Sequence, residues 1–305
     1  MTVASCEVPV TALVVTYQSA LTVVAMLESL RESHDQGLLQ CVVVDNVSMD
    51  DTADLLDRHA GWAKVLLEKI NHGFGRGCNV GFAHVKTPYT LLVNPDAIVG
   101  SEAIRSMVAF MDANPKVGIV GPATTVGEHV GQALQSTGPR PNPLSILRRQ
   151  TRLFGKADLD RKIVPGSDAF RTGWVCGAVL MIRTELMRQL GGFDPTFFLY
   201  WEEMDLCQRA ENMGFQVWAV GEAVAHHVCG ASSTNEKVLI DGCIPSHYYR
   251  SRYHYLVKHY GWCIAVMTEV AEVFLLGLMT CLDVIRGRGV GRIRPRLHAP
   301  LFRRP

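Results

Sequence analysis

Up to Pro115, the chain alternates between short apolar runs and stretches with helical spacing. The apolar runs are rich in Val and are typical of strands that are buried on both faces. They are Val10–Thr16, Cys41–Val44, Val65–Leu67 and Tyr89–Val93. Because helical stretches follow these runs, the pattern predicts βαβ units, and hence an α/β fold with a mostly parallel central sheet flanked by helices.

The helical stretches have recognisable starts and stops. Gln18–Arg31 places Leu21 and every third residue after it on one stripe, which predicts an amphipathic helix. Turn and N-cap residues then precede a helix that runs to about His59. Further helices are predicted at Asn79–His84 and at Ser101–Asn114, the last ending before Pro115.

The second half of the chain is less regular. Residues 127–168 contain four Pro and weak periodicity, so we expect a long loop region there. Order returns with the apolar run Gly173–Ile182 and a helix at Thr184–Leu190. From Tyr248 onward the spacing predicts helices that end in an Arg-rich tail.

Composition limits the classes of function. Apolar residues make up 48% and charged residues 19% of the 305 residues, which excludes an intrinsically disordered chain. Lys and Arg (30) nearly balance Asp and Glu (29), so no basic field points to nucleic acid. The nine Cys form no CxxC pair, which favours reduced thiols in a cytosol. The first residues lack the charged start of a signal peptide, and no uncharged apolar run is long enough for a membrane span.

Polar residues follow three of the predicted strands: Thr16–Tyr17, Asp45–Asn46 and Asn94–Asp96. Ligands of such sheets bind beyond the carboxyl ends of the strands, so the three groups together indicate a binding edge. A carboxylate at Asp45 can accept a hydrogen bond from a ribose hydroxyl or a ring N–H, although a turn or helix-cap role fits equally well.

Two further motifs suit a phosphate-bearing ligand. The glycines in Asn71–Gly77, including Gly73 next to Phe74, let the backbone approach a ligand closely, with a plain tight turn as the alternative. A divalent cation that bridges a diphosphate needs only one or two protein carboxylates, so Asp96 suffices in principle. A polar strand-to-helix turn is the alternative at Asp96.

Three carboxylates, Glu202, Glu203 and Asp205, follow the aromatic run Phe197–Tyr200. They indicate a general base in a pocket, with stabilisation of a helix start as the alternative. On a helix, positions 202 and 205 lie on similar faces and 203 points about 100° away. We therefore expect the first and third carboxylates to be ionised and occupied by caps or cations, and Glu203 to be free for an acceptor.

His226 and His227 follow the apolar stretch Val217–Ala225. Two successive imidazoles at a strand end favour a metal or phosphate role over burial in the core.

Taken together, these segments resemble the family-2 glycosyltransferases with the GT-A (Rossmann-like) fold, and in particular the rhamnosyltransferase-like branch that builds bacterial surface polysaccharides. The resemblance covers roughly residues 10–260. The matching segments are VVTYQS, VVVDNVSMDDT, NHGFGRGCNVGF, LLVNPDA, GWVCGAVLMIR, GGFDPTFFLYWEEMDLCQRA and HHVCGASS.

The resemblance implies roles for individual residues. The nucleotide-sugar contacts would be Thr16, Tyr17, Asp45, Asn46, Gly73, Phe74, Asn79, Asn94 and Asp96. Asp96 and His227, with His226 as the competing imidazole, would bind the metal. Glu203 would be the catalytic base, with Glu202 as the competitor. Trp174, Gly177, Trp201 and Asp205 would lie on the acceptor side.

The implied reaction is an inverting, metal-dependent sugar transfer in bacterial cell-surface polysaccharide synthesis. Mg²⁺ or Mn²⁺ would be the cofactor, a dTDP- or UDP-sugar the donor, with rhamnose favoured, and a glycan or lipid-linked molecule the acceptor. A GT-A catalytic domain would span 1–235, with its nucleotide-sugar half at about 1–125 and its acceptor half at about 170–235. Residues 236–305 would form a C-terminal helical extension with an Arg-rich tail.

Two departures from the family pattern matter. Glu203 stands where the family usually has Asp, and Asn94 stands where other members have the first Asp of DxD. These departures keep open a non-catalytic nucleotide- or glycan-binding protein on a GT-A fold. A nucleotidyltransferase fits less well, because no Gly-rich loop with Arg and Lys follows the first strand.

The extension suggests a location. Trp262–Ile285 is apolar except for three acids on one helical face, and seven Arg without any acid follow Asp283. A basic tail beside an amphipathic helix suits an anionic membrane surface, with a packing helix and a solvated tail as the alternative. We expect a cytoplasmic enzyme, peripheral on the inner face of the cell membrane if the tail binds lipid, and removal of 286–305 to leave the fold intact.

Overall fold

The structure is a computed structural model that describes residues 8–126, 135–151, 161–227, 246–287, 293 and 296. Its helices are α1 Val23–Asp35, α2 Thr52–His59, α3 Phe74–Phe82, α4 Ser101–Ala113, α5 Pro143–Thr151, α6 Thr184–Gln189, α7 Glu202–Asn212, α8 Ser246–Tyr260 and α9 Trp262–Ile285. Its strands are β1 Val10–Thr16, β2 Leu39–Asp45, β3 Lys64–Leu67, β4 Tyr89–Val93, β5 Ala97–Val99, β6 Val117–Val126, β7 Gln135–Gly138, β8 Arg161–Lys162, β9 Phe170–Thr172, β10 Trp174–Val175, β11 Val179–Arg183 and β12 Gln216–His227.

The central sheet has the order β3-β2-β1-β4-β11-β6-β12-β5, with β9 also paired to β12. The first four of these strands are parallel, as expected. Beyond β4 the sheet is mixed, because β11 runs antiparallel to both β4 and β6 while β12 is parallel to β6. A small second sheet, β10-β7-β8, lies beside it within the described residues. The α/β fold with a central sheet flanked by helices is therefore confirmed.

Helices on both faces explain why the first strands are continuously apolar. Alternate residues of β1 belong to two separate cores: Val10, Ala12 and Val14 pack with α1 and α4, whereas Leu13 and Val15 pack with α3 and α7. Both faces of β1 and β4 are thus out of water, and the carboxyl ends of β1, β2 and β4 carry the polar residues.

Two predictions from the sequence are wrong. The first helix begins at Val23, not at Gln18, and Leu21 is 89% exposed. Ser19 and Thr22 form a turn before α1, and the buried stripe is Val23, Met26, Leu27 and Leu30. The presumed loop region 127–168 contains β7, α5 and β8, which are too short for periodicity to reveal. The long strand β6 also has no counterpart in the sequence pattern, since Gly and Pro interrupt it.

The C-terminal helices pack against the acceptor half of the sheet domain. Tyr255 and Leu256 of α8 and Ala265 of α9 share an apolar cluster with Phe197 and Trp201. α9 also packs on α5. The extension therefore supports the start of α7, although the expected domain boundary near 235 lies outside the described residues.

The three acids of α9 lie on its buried side. Glu269 (3% exposed), Glu272 (1%) and Asp283 (9%) face the protein, and large apolar side chains point outward. The sequence placed the acids on one face of an amphipathic helix but did not say which face packs on the protein. By length and composition alone, α9 could cross a membrane.

Candidate active site

The carboxyl ends of β1 and β2 join Thr16 and Asp45 directly. The Thr16 hydroxyl donates to Asp45 Oδ1 at 2.8 Å, and both residues are buried. Ser48 donates to the same carboxylate from its backbone N–H (2.9 Å) and its hydroxyl (2.6 Å). The carboxylate is therefore fixed in orientation, as a residue that selects a ligand hydroxyl or ring N–H needs to be.

The backbone beside Asp45 adopts sparsely populated conformations. Gln18 (φ 51°) and Val47 (φ 63°) both have positive φ without being Gly, and the Gln18 N–H donates to the Ser48 hydroxyl at 2.9 Å. A positive φ is costly for a β-branched residue such as Val47, and such strain concentrates at functional sites. Tyr17, directly before Gln18, is 41% exposed, so its ring is accessible at this edge.

Asn46 connects this edge to the Gly-rich loop. Its side-chain amide donates to the Gly73 carbonyl at 2.9 Å, while its Oδ1 has no hydrogen-bond partner among the described residues. The Phe74 N–H donates to the Phe198 carbonyl at 3.0 Å. A Cβ on Gly73 would lie 2.1 Å from that carbonyl, and Gly73 has φ 76°, so no other residue fits there.

Asn79 lies on α3 below this loop. Its amide donates to the Phe193 carbonyl (2.8 Å), and its Oδ1 accepts from the Phe193 N–H (2.8 Å). Both ends of the amide are thus occupied in holding α3 to the loop before α7. A ligand contact of the Asn79 side chain stays a prediction.

The structure brings Asp96 and His227 together. β12 runs antiparallel to β5 with His227 opposite Ala97, and His227 Nε2 lies 3.0 Å from Asp96 Oδ1. Both side chains are buried. The neighbouring His226 points to the other face of the strand, where its Nδ1 lies 2.6 Å from the Thr125 hydroxyl.

The chemistry of this pair fits a divalent cation. A carboxylate oxygen and an imidazole nitrogen about 3 Å apart match two adjacent ligands of one ion whose bonds are about 2.1 Å long. The described residues contain no cluster of three or more His, Cys, Asp or Glu side chains suited to a metal. A Mg²⁺ site of this kind takes its remaining ligands largely from substrate phosphates and water.

The first turn of α7 lies next to the end of β10. Glu203 is only partly buried, and the Gly177 backbone hydrogen-bonds to its carboxylate. A Cβ on Gly177 would lie 3.6 Å from that of Glu203. The next carbonyl, that of Ala178, accepts the Asn94 N–H at 2.8 Å. One short segment thus links Glu203 to the strand end that carries Asn94 and Asp96.

Glu202 has a different environment from Glu203. It is 5% exposed, and its Oε2 has no hydrogen-bond partner among the described residues. Burial and then the nearby Glu203 charge raise the pKa of Glu202 well above its ordinary value. Burial also raises the pKa of Glu203, opposed by the Gly177 hydrogen bond. The raised pKa of Glu202 does not fit the expected ionised state, although backbone N–H groups of Tyr200 and of Glu202 itself hydrogen-bond to this carboxyl, as expected for a cap.

Asp205 is fully buried and surrounded by cations. Its carboxylate accepts from Arg209 at 2.8 Å, with Lys258 and His259 also 2.8 Å away. Burial alone would raise the pKa of Asp205, but these hydrogen bonds and charges outweigh burial and lower it. Asp205 therefore ties α7 to α8, as the ion-pairing expectation stated.

The aromatic residues assigned to the acceptor side are also inside. Trp201 is 3% and Trp174 6% exposed, and neither indole N–H has a hydrogen-bond partner among the described residues. Trp201 packs against Tyr255 with ring centroids 5.1 Å apart. Tyr200 (φ 68°) and Trp201 (φ 71°) are both left-handed, a costly turn immediately before Glu202. Both indoles support the site from within.

Sequence reasoning overlooked several contributors to the site. Ser48 is one of the turn and N-cap residues before α2, and its contacts orient Asp45. Phe198 is 39% exposed, stacks on His247 at 5.0 Å and contacts the Gly-rich loop. Its place in an aromatic run was the only signal. Residues 228–245, which include the Gly–Ala–Ser–Ser motif, lie outside the described residues.

Comparison with known proteins places this geometry in context. The family model described as glycosyl transferase family 2 matches residues 11–175, more than half of the chain. The N-acetylglucosaminyl-diphospho-decaprenol L-rhamnosyltransferase of Mycobacterium tuberculosis is 23% identical over 251 residues, which cover 72% of this chain and 76% of that protein.

Solved structures agree on the fold. The mannosyltransferase PcManGT from Pyrobaculum calidifontis, in complex with GDP-Man and Mn²⁺, has a TM-score of 0.54 at 17% identity and covers 94% of this chain and 86% of its own. S. aureus TarS 1–349 in complex with UDP has a TM-score of 0.53 at 14% identity, covering 90% and 72%. The fold of these two neighbours, which are GT-A glycosyltransferases, agrees with the family match. Because the family model covers more than half of the chain, the chain belongs to glycosyltransferase family 2.

Proposed function

We propose that the protein is an inverting, metal-dependent glycosyltransferase that moves a hexose, rhamnose in the first instance, from a nucleoside diphosphate to a glycan or lipid-linked acceptor. The observation that carries the proposal is the backbone link between Asn94 and Ala178, which sets Glu203 beside the strand end that bears Asp96. A base for the acceptor and a carboxylate for the diphosphate are thus on neighbouring segments.

The donor side follows from the fixed groups at the sheet edge. Asp45, oriented by Thr16 and Ser48, would accept hydrogen bonds from the nucleoside, and Tyr17 would pack on it. Asp96 and His227 would hold Mg²⁺ or Mn²⁺, which supplies charge neutralisation for the departing diphosphate. His226 is occupied by Thr125 and is the weaker candidate.

Glu203 would act as the general base. Its carboxylate would take the proton from the acceptor hydroxyl as that oxygen attacks the anomeric carbon, and the bond to the diphosphate breaks in the same displacement. One displacement inverts the anomeric configuration. Gly177 holds the carboxylate by its backbone, and the absence of a Cβ there leaves room beside it.

Relatives guide the choice of substrates. The Mycobacterium tuberculosis relative is named for transfer of L-rhamnose to a diphospho-decaprenol acceptor, which supports a dTDP-rhamnose donor and a polyprenyl-linked acceptor in surface-glycan synthesis. A panel of dTDP-, UDP- and GDP-sugars with Mg²⁺ or Mn²⁺, measured by thermal shift, tests the donor. A donor at 100 times its Kd should add about 2.7 kcal/mol of stability.

A non-catalytic binding protein is the second candidate, because Asn94 replaces an acidic metal ligand and Glu203 replaces Asp. Metal-dependent hydrolysis of the bound nucleotide-sugar in the absence of acceptor would exclude it. Donor binding with neither hydrolysis nor transfer would support it and overturn the catalytic proposal.

A lipid-linked acceptor requires access to a membrane. We therefore also propose that the C-terminal extension holds the enzyme peripherally at an anionic membrane surface. The arginines that follow α9 support this location, since each Arg near an anionic surface contributes about 1 kcal/mol.

A further inference from the structure

The outward face of α9 is a continuous apolar surface. Seven of its large apolar side chains are between 44% and 81% exposed and recur at the three- and four-residue spacing of a single helix face. They are Ile264, Met267, Val270, Phe274, Leu278, Leu282 and Ile285, and Trp262 and Val284 are exposed beside them. At 1.5 Å per residue the face from Ile264 to Ile285 is about 32 Å long.

No carboxylate interrupts this face, because the acids of α9 are held on its opposite side. Arg252 donates to Glu269 (2.6 Å) and Glu272 (2.8 Å), and Arg296 from the tail donates to the same two carboxylates. Both guanidiniums also lie over the Tyr249 ring. The four charges balance within the protein, and Asp283 is buried as well, so the acids of α9 are turned inward and its outer side is left apolar.

The ends of the face carry the residues that prefer a lipid interface. Trp262, 57% exposed, begins α9, and Arg286, which is exposed, follows its last turn. Indole rings and basic side chains concentrate at the headgroup level of membranes. Besides the buried Arg296, the sequence after Asp283 has six Arg and no acid, which complements anionic lipid.

We propose that the outward face of α9 lies flat in the acyl–headgroup boundary of a membrane and is the principal lipid contact of the protein. This inference rests on the proposed peripheral location, and it assigns the contact to the apolar helix face instead of the Arg tail. A membrane-spanning α9 is disfavoured, because crossing would pull Glu269 and Glu272 away from Arg252 and α9 away from α5.

The test is co-sedimentation of the full chain with phosphatidylcholine vesicles containing 30% phosphatidylglycerol, at low salt and at 0.5 M salt. We expect binding to persist at 0.5 M salt, and M267E/F274E to reduce it at least tenfold. V164E/M213E is the matched control, since it adds two acids at exposed apolar positions outside α9, and we expect it to bind like wild type.

Each alternative has its own result. Binding that is lost in salt but unaffected by M267E/F274E assigns attachment to the tail and overturns the inference. A wild-type dimer without lipid that becomes monomeric in M267E/F274E assigns the face to a second copy and also overturns it. Resistance of bound protein to alkaline carbonate extraction indicates a spanning helix, with the same consequence.

Thermal shift with the donor and transfer to a water-soluble acceptor separate this inference from the proposed function. We expect M267E/F274E to keep both at wild-type levels and to lose transfer only to a vesicle-embedded acceptor. A wild-type protein that binds vesicles but none of the nucleotide-sugars would overturn the enzyme proposal and leave the lipid contact intact.

Discussion

Two regions of this protein each hold a pair of neighbouring carboxylates away from water. In one region the carboxylates are ion-paired, and in the other they are not. In the α8–α9 extension, Glu269 and Glu272 are matched by Arg252 and Arg296. In the first turn of α7, Glu202 and Glu203 form no ion pair with any of the described residues, and burial raises the pKa values of both.

The difference distinguishes carboxylates that stabilise the fold from carboxylates that can exchange protons. A matched buried cluster is fixed, and removal of one member leaves an uncompensated charge. An unmatched buried carboxyl has a pKa that is raised above its ordinary value, and a general base works best when its pKa lies near the operating pH. The following substitutions test this contrast.

The largest effect is expected at Asp96, which belongs to neither carboxylate pair. In the proposed function, Asp96 holds the metal without which the transfer that Glu203 assists does not occur. Asp96→Ala should abolish transfer and remove the metal-dependent part of donor affinity. Titration calorimetry with and without Mn²⁺ measures it. Glu102→Ala, an exposed carboxylate at the start of α4, is the control. Metal-dependent affinity that survives in Asp96→Ala would remove Asp96 from the metal site.

Arg296→Met tests the matched group. It leaves two buried carboxylates with one guanidinium, and a broken buried ion pair costs about 3–5 kcal/mol of unfolding free energy. Urea unfolding measures the loss, with Arg286→Met as the exposed control. An unchanged midpoint would show that the tail does not complete the cluster. For the same reason, removal of residues 286–305 should destabilise the extension, contrary to what the sequence suggested.

Glu203→Gln tests the unmatched group. It preserves shape and removes basicity, so kcat should fall at least about 10²-fold with donor affinity nearly unchanged. Glu202→Gln is the matched control: if Glu202 is protonated, the amide replaces a neutral group and turnover stays near normal. A dead Glu202→Gln enzyme with normal donor binding, beside an active Glu203→Gln enzyme, would transfer the role of base to Glu202.

The pH profile of wild type follows from the same shifts. Glu203 has to be ionised to accept a proton, and its pKa is raised above the ordinary 4.5. The acid limb of kcat/KM should therefore lie above the usual carboxylate range and remain there in Glu202→Gln. A limb at or below pH 4.5 would contradict the raised pKa.

The smallest effect concerns stability. A carboxyl whose pKa is raised on folding binds its proton more tightly in the folded state, so it costs stability as pH rises from its ordinary value of 4.5. Glu202→Gln removes this cost, and unfolding free energy should fall less between pH 5 and pH 8 than in wild type. Equal slopes for the two proteins would show that Glu202 is ionised when folded.

The sequence by itself determined the first four strands, the α/β class and the polar strand ends. Each strand is a short apolar run followed by polar residues, and such a pattern can be read from neighbouring positions alone. Tyr89–Val93 is a strand with the predicted limits. The resemblance of the segments added the family, which the family model confirms. The base and metal roles of Glu203 and Asp96 stay predictions.

Only the tertiary structure decided which side chains meet. The choice between His226 and His227 depends on the register of β12 against β5, which no local pattern encodes. The environments of Glu202 and Asp205 depend on whether α8 supplies cations, and it does so only to Asp205. Which side of α9 faces the protein was decided in the same way. Its acids turn inward because Arg252 and Arg296, distant in sequence, pair with Glu269 and Glu272 and compensate their loss of contact with water.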